Sequence, residues 1–88
     1  MSTYEITLIF QPELTEEQAD AIIDKLDVKV TNRQKWGKRL LAYPISRKKE
    51  GTYILCEVNA DEKKMRQIVQ SIELNDQILR HLIVATNQ

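Results

Sequence analysis

An α+β fold built as one small domain is what this sequence predicts, and three observations carry the prediction. Apolar residues alternate with a period of two in the first and third strand stretches, a long stretch of mixed character and a final apolar one read as two further strands, and two others show helical spacing. The stretches follow one another in the order βαββαβ. Proline, glycine and capping residues stand at the joins between them. The chain has 88 residues, enough to bury roughly 60–65% of its unfolded surface and hold one thin core. It is therefore read as a single domain over residues 1–88.

The first strand runs from Tyr4 to Phe10, with Tyr4, Ile6, Leu8 and Phe10 on one face and Glu5, Thr7 and Ile9 on the other. Pro12 stops it, because proline cannot donate to a ladder. Thr15 and Gln18 form a capping box, and Glu16, Glu17 and Asp20 suit the positive end of a helix dipole. Ala19, Ile22, Ile23 and Leu26 make the apolar stripe of this helix, which should end near Leu26 or Asp27. A long strand from Val28 to Ile45 starts polar and basic and finishes apolar. Gly37 inside it predicts a bulge or bend. Ser46 to Gly51 reads as a basic turn, and Thr52 to Val58 as the partner strand of a hairpin. A second helix from Asp61 to Ile72 carries the stripe Met65, Ile68, Val69 and Ile72. The last strand is Ile78 to Ala85.

Two split β-α-β units with right-handed crossovers give a ferredoxin-like sandwich, a four-stranded antiparallel sheet with both helices on one face. The strands nevertheless carry apolar residues on both sides, as at Ile9, Leu55 and the Leu40-Leu41 pair. A sheet facing only water alternates more cleanly, so the open face either has apolar area to offer a partner or carries only the scattered exposed apolar residues that are normal on a surface.

Composition narrows the function. No apolar run approaches the ~20 residues that span a bilayer, so no membrane role is expected. The stretch Met1 to Glu5 lacks the features of a secretory signal. The lone Cys56 cannot form an internal disulfide, and a cytoplasmic location is expected. Net charge is zero, with 13 groups of each sign, but the signs are segregated. Lys29 to Lys49 contains eight basic residues and no acidic one, leaving the other 67 residues with 5 basic and 13 acidic groups. Such a block is either solvated surface or a nucleic-acid patch.

Catalytic signals are weak. His81 stands alone on an apolar strand, with no second histidine or cysteine at metal spacing. Cys56 falls on the core face, where a thiol is a small inert hydrophobe. Neither glycine belongs to a phosphate-cradling loop. No catalytic residue, metal, cofactor or small-molecule substrate is expected. The binding signal is better: Arg33, Lys35, Trp36, Lys38 and Arg39 set cations around an indole, and Arg47, Lys48 and Lys49 extend the block into the hairpin turn. Guanidinium forks and ammonium groups suit phosphate oxygens, and an aromatic among them can stack on an unpaired base or cover the core edge.

The stretch Gly37-Lys38-Arg39-Leu40-Leu41-Ala42-Tyr43-Pro44-Ile45 resembles the hallmark strand of the bacterial S-six ribosomal proteins, where a preceding tryptophan is also typical. Tyr4-Glu5, Gly51-x-Tyr53 and Leu74-Asn75-Asp76-x-Ile78-Leu79-Arg80 match that family in order, so the resemblance covers essentially the whole chain. It implies a structural, ribonucleoprotein role in translation. The family binds the central domain of small-subunit ribosomal RNA paired with ribosomal protein S-eighteen, on the ribosome of a bacterium or of an organelle. By the same resemblance Lys38, Arg39, Trp36 and Arg80 are RNA-binding candidates, and Tyr43 faces RNA or the partner protein. Arg33, Lys35, Arg47, Lys48 and Lys49 join them on the charge argument alone. The stretch from Pro12 to Gly37 is shorter than is usual in the family by roughly two helical turns, which removes the end of the first helix and its connection onward.

Two rival readings use the same fold. A generic single-stranded RNA-binding domain requires an aromatic pattern that Thr52 to Val58 does not supply. An acyl-phosphate hydrolase requires an anion cradle after the first strand, where Gln11 to Leu14 offers an acidic residue and no glycine.

Overall fold

The computed structural model describes residues 2–26, 28–45 and 47–86, with the backbone only at Ser2 and 42–45. Six elements follow in the expected order: β1 (Ser2–Phe10), α1 (Glu16–Asp24), β2 (Lys29–Ile45), β3 (Lys48–Ala60), α2 (Glu62–Glu73) and β4 (Ile78–Ala85). The strands form one sheet in the order β2-β3-β1-β4, every neighbouring pair antiparallel. This is the ferredoxin-like sandwich.

The register explains where the core sits. Ile6 stands opposite Cys56 and Ile83, and Leu8 opposite Ile54 and His81. Directly opposed residues share a face, so one face of the sheet presents Ile6, Leu8, Phe10, Ile54, Cys56 and Val58, all buried. Ala19 and Ile23 of α1 and Met65, Ile68 and Ile72 of α2 close over them. Ile22, Leu26 and Val69 of the expected stripes are half-buried at the margins.

Both helices start as their sequences dictate. The Thr15 hydroxyl accepts from the Gln18 amide at 3.1 Å, and the Gln18 side chain accepts from the Thr15 amide at 3.0 Å. The Asp61 carboxylate accepts from the Lys64 amide at 2.7 Å. These bonds satisfy amides that a helix start leaves orphaned.

The end of α1 and the start of β3 differ most from expectation. α1 ends at Asp24, because the Lys25 amide closes onto Ala21 and Ile22 and the next turn tightens from Leu26 to Ile23. The other end considered for it, Asp27, lies outside the described residues. β3 begins at Lys48 rather than Thr52. The polar run Lys48-Lys49-Glu50 is strand, paired with β2 at Lys48 and Glu50, and none of its residues is buried, so no burial imprints a period on it. The reversal is correspondingly tight, with Arg47 in the left-handed region at φ 66°, while Ser46 lies outside the described residues.

Candidate nucleic-acid interface

The basic strand β2 carries three irregularities, between Val30 and Asn32, between Lys35 and Gly37 and between Leu40 and Ile45, and the first two decide which of its side chains share a surface. Val30 stands opposite Val58 but Asn32 opposite Glu57, so Thr31 is an extra residue. Lys35 stands opposite Ile54 but Gly37 opposite Tyr53, so Trp36 is a second one. The bulge expected at Gly37 is present, and Gly37 takes φ 77° within it. That conformation is cheap only without a Cβ.

A strand without the second bulge would put Trp36 and Arg39 on opposite faces. The extra residue re-phases the chain, and Arg39 comes to stand opposite Gly51 on the open side, with Trp36. The Trp36 indole stacks beside Tyr53 at 6.4 Å between ring centres and 14° between planes. The Arg39 guanidinium lies 5.8 Å from the Trp36 ring centre, in cation–π range. The indole N–H points to the Gln34 side-chain oxygen at 3.4 Å, a long contact. Trp36 remains 45% exposed, so the platform offers surface to a ligand.

Gly51 is needed beneath this platform. A Cβ there would collide with the Ile9 side chain and crowd the Phe10 carbonyl at 3.3 Å. Its absence lets Ile9 pack to 9% exposure on the open face. Ile9 is thus largely covered by its own neighbours. Arg80 stands opposite Ile9 on β4 and completes the row Trp36, Tyr53, Ile9, Arg80. Alternation along β3 places Lys49 with Gly51 on the same side. Arg47 is exposed at the hairpin reversal.

The remaining cations point the other way. Arg33 stands opposite Cys56 and Lys35 opposite Ile54, which is the helix-bearing face. Arg33 donates to Asp20 at 2.9 Å and to Asp24 at 3.0 Å, and Lys35 donates to Asp20 at 2.6 Å. The hydrogen bond from Lys35 holds the Asp20 carboxyl below its ordinary range, with Arg33 adding to the effect. The same bond raises Lys35. Lys48 donates to Glu13 at 2.8 Å, and Lys38 adds to the field that lowers Glu13. The structure therefore separates the block into two sets. Trp36, Arg39, Lys49 and Arg80 gather on the open side with Arg47 at the tip. Arg33, Lys35 and Lys48 are paired with carboxylates, and Lys38 is exposed near Glu13.

Tyr43 lies in β2, but its side chain is outside those described. Tyr53 was not expected in the site and proves to be the indole's neighbour. Its signal in the sequence was its position two residues beyond Gly51, across the hairpin from Gly37. His81 is half-buried on the core side, opposite Leu8. Burial pushes the Cys56 thiol up to about 11, an unreactive state at neutral pH. Among the described residues no cluster of side chains could hold a metal ion, and no helix is long and apolar enough to cross a membrane.

Comparison with known proteins agrees with this geometry. The family model described as ribosomal protein S6 matches residues 3–85. The small ribosomal subunit protein bS6 of Desulforamulus reducens is 36% identical over 91 residues, covering 96% of each chain. That of Thermoanaerobacter pseudethanolicus is 35% identical over 95 aligned positions, covering both chains completely. All 88 residues are placed within those 95 positions, so seven positions of that relative have no counterpart here. The crystal structure of 30S ribosomal protein S6 from Thermotoga maritima shares the fold, with a TM-score of 0.85 at 19% identity over 97% of this chain and 87% of that one. These relatives are structural proteins of the ribosome and not enzymes. A βαββαβ sandwich that carries a bulged basic strand, matched over nearly its full length in sequence and fold, is a member of the ribosomal protein S6 family of the small ribosomal subunit.

Proposed function

We propose that this chain binds the central domain of small-subunit ribosomal RNA and does so as a pair with ribosomal protein S-eighteen. The observation that carries the RNA half is the re-phasing of β2 at Trp36, which collects Arg39 and the indole on the side that Lys49 and Arg80 also face. Four cations are exposed on this side or at its tip, Arg39, Arg47, Lys49 and Arg80, and a fifth, Lys38, is exposed on the opposite face near Glu13. They supply phosphate contacts, and the Trp36–Tyr53 platform supplies a stacking surface for an unpaired base. The partner half draws on the family resemblance and on the exposed apolar side chains of β4, Leu82 and Val84.

Gel shifts of a central-domain RNA fragment, with and without purified S-eighteen, test the reading. Tight binding by the pair, weak binding by either protein alone, and a log–log salt slope of roughly −3.5 to −4.5 for about five phosphates are expected. A flat salt response rejects RNA backbone contact. Tight binding of the lone chain to arbitrary single strands would instead favour a generic RNA-binding module.

A further inference from the structure

A row of carboxylates follows the basic strand along its helix side. Glu16, Asp20 and Asp24 stand at every fourth position of α1 and so share one face of the helix. Glu13 continues the row in the turn before it. The cations meet this row in the reverse order. Asp24 pairs with Arg33, Asp20 with Arg33 and Lys35, and Glu13 with Lys48 at the start of β3. Lys35 is raised first by its bond to Asp20, and the charge of Glu16 adds to the effect. None of the three cations is hidden by burial. The side chains of Arg33, Lys35 and Lys48 stay 24%, 37% and 36% exposed, so a phosphate group in solvent can reach them.

We infer that Glu13, Asp20 and Asp24 are specificity-determining residues: they keep Arg33, Lys35 and Lys48 from RNA, so that RNA is recognised by the platform and cations of the open side and not by the whole basic block. A single exposed ion pair is weak. What excludes the phosphate is the row as a whole, because a phosphate drawn to Lys35 must also approach Asp20 and Glu16. Like charges brought together suppress an unwanted partner. Without the acids, the helix side would add three phosphate contacts that carry no sequence information. Affinity for every RNA would rise, and discrimination between them would fall. With the acids in place, the same three cations brace the strand against α1 and its approach. The carboxylates thus act on RNA choice while touching no RNA.

This inference rests on the RNA reading proposed above and adds the residues that limit it. The test compares E13Q/D20N with E62Q/E73Q, which removes the same charge from exposed positions of α2. Each variant and the wild type is titrated with an unrelated RNA duplex over a salt series, beside thermal melts and gel shifts of the central-domain fragment with S-eighteen. E13Q/D20N releases Lys35 and Lys48 while Asp24 still holds Arg33. Its salt slope on the unrelated duplex should steepen by roughly 1.8, two contacts at about 0.9 each, and that of E62Q/E73Q should stay near wild type. Adding K35Q and K48Q to E13Q/D20N should return the slope to the wild-type value. A lower melting midpoint with an unchanged slope would make the carboxylates structural only, overturning this inference and leaving the RNA reading intact. Equal steepening in E62Q/E73Q would assign the effect to net charge and overturn it as well. Failure of the wild-type chain with S-eighteen to shift the central-domain fragment would overturn the RNA reading and this inference with it.

Discussion

Arg33 on the outer strand β2 reaches Asp20 on α1 at 2.9 Å, and Lys35 takes the same carboxylate's other oxygen at 2.6 Å. One aspartate thus fastens the basic strand to the helix layer through two cations, and Asp24 adds a third contact at 3.0 Å. Asp20→Asn should cost about 1 kcal/mol of stability at pH 7, the upper range for partly exposed pairs. The sign of the pH dependence follows from the lowered carboxyl. A carboxylate whose folded-state pKa lies below its unfolded value of about 3.9 contributes fully above that value and loses the contribution as pH falls through the folded one. Urea denaturation should show wild type and variant separated at pH 7 and converging as the pH falls below the ordinary aspartate range. Equal stabilities at pH 7 would mean that the two cations find other partners.

The two glycines should respond differently to alanine. Gly37 adopts φ 77°, but a Cβ there would meet nothing within 4 Å. Gly37→Ala therefore carries only the left-handed backbone cost, about 1–2 kcal/mol. Gly51 lies under Ile9 with no room for a methyl group. Gly51→Ala should cost more, about 2–3 kcal/mol of overpacking, or force Ile9 outward. Denaturation midpoints of the two variants test the ranking, and a Gly37→Ala variant less stable than Gly51→Ala would reverse it.

Position on the sheet should decide what each cation does. Arg39→Gln and Lys49→Gln, on the open side, should each reduce the magnitude of the RNA salt slope by about 0.7–0.9 with little loss of stability. Lys35→Gln removes the same charge from the helix side and breaks a 2.6 Å contact with Asp20. It should lower stability and leave the salt slope unchanged. Salt titrations of RNA binding, run beside urea melts of the same three variants, separate the roles. Equal slope changes in all three would return Lys35 to the RNA surface.

That division shows what the sequence could and could not convey. Element order, both caps, both core stripes and the bulge at Gly37 were legible because each leaves a local mark: a period, a capping residue, a lone glycine inside a strand. Counting charge from Lys29 to Lys49 was also sound, but a count carries no face. The face of Arg39 depends on the single extra residue at Trp36, and that of Arg33 on the extra residue at Thr31, so parity cannot be carried along β2 without the register. The start of β3 was hidden for a related reason. Lys48 and Glu50 pair with the opposite strand, but no residue of that run is buried.

Thr52 holds a polar atom in an apolar setting. It is 4% exposed, stands between Phe10 and Lys38 across the sheet, and its hydroxyl has no hydrogen-bond partner among the described residues. A buried hydroxyl left unsatisfied costs about 1–3 kcal/mol, whereas a methyl group of nearly the same shape costs nothing in lost hydration. Thr52→Val should therefore raise stability by about 1 kcal/mol and the melting midpoint by roughly 4–8 °C for a domain of this size. Valine also keeps the β-branched shape that the strand favours. Thr52→Ala should fall below both, since it removes the hydroxyl and the packing methyl together. Thermal melts of the three proteins decide the matter: a valine variant less stable than wild type would show that the hydroxyl bonds to a group that the wild-type fold supplies.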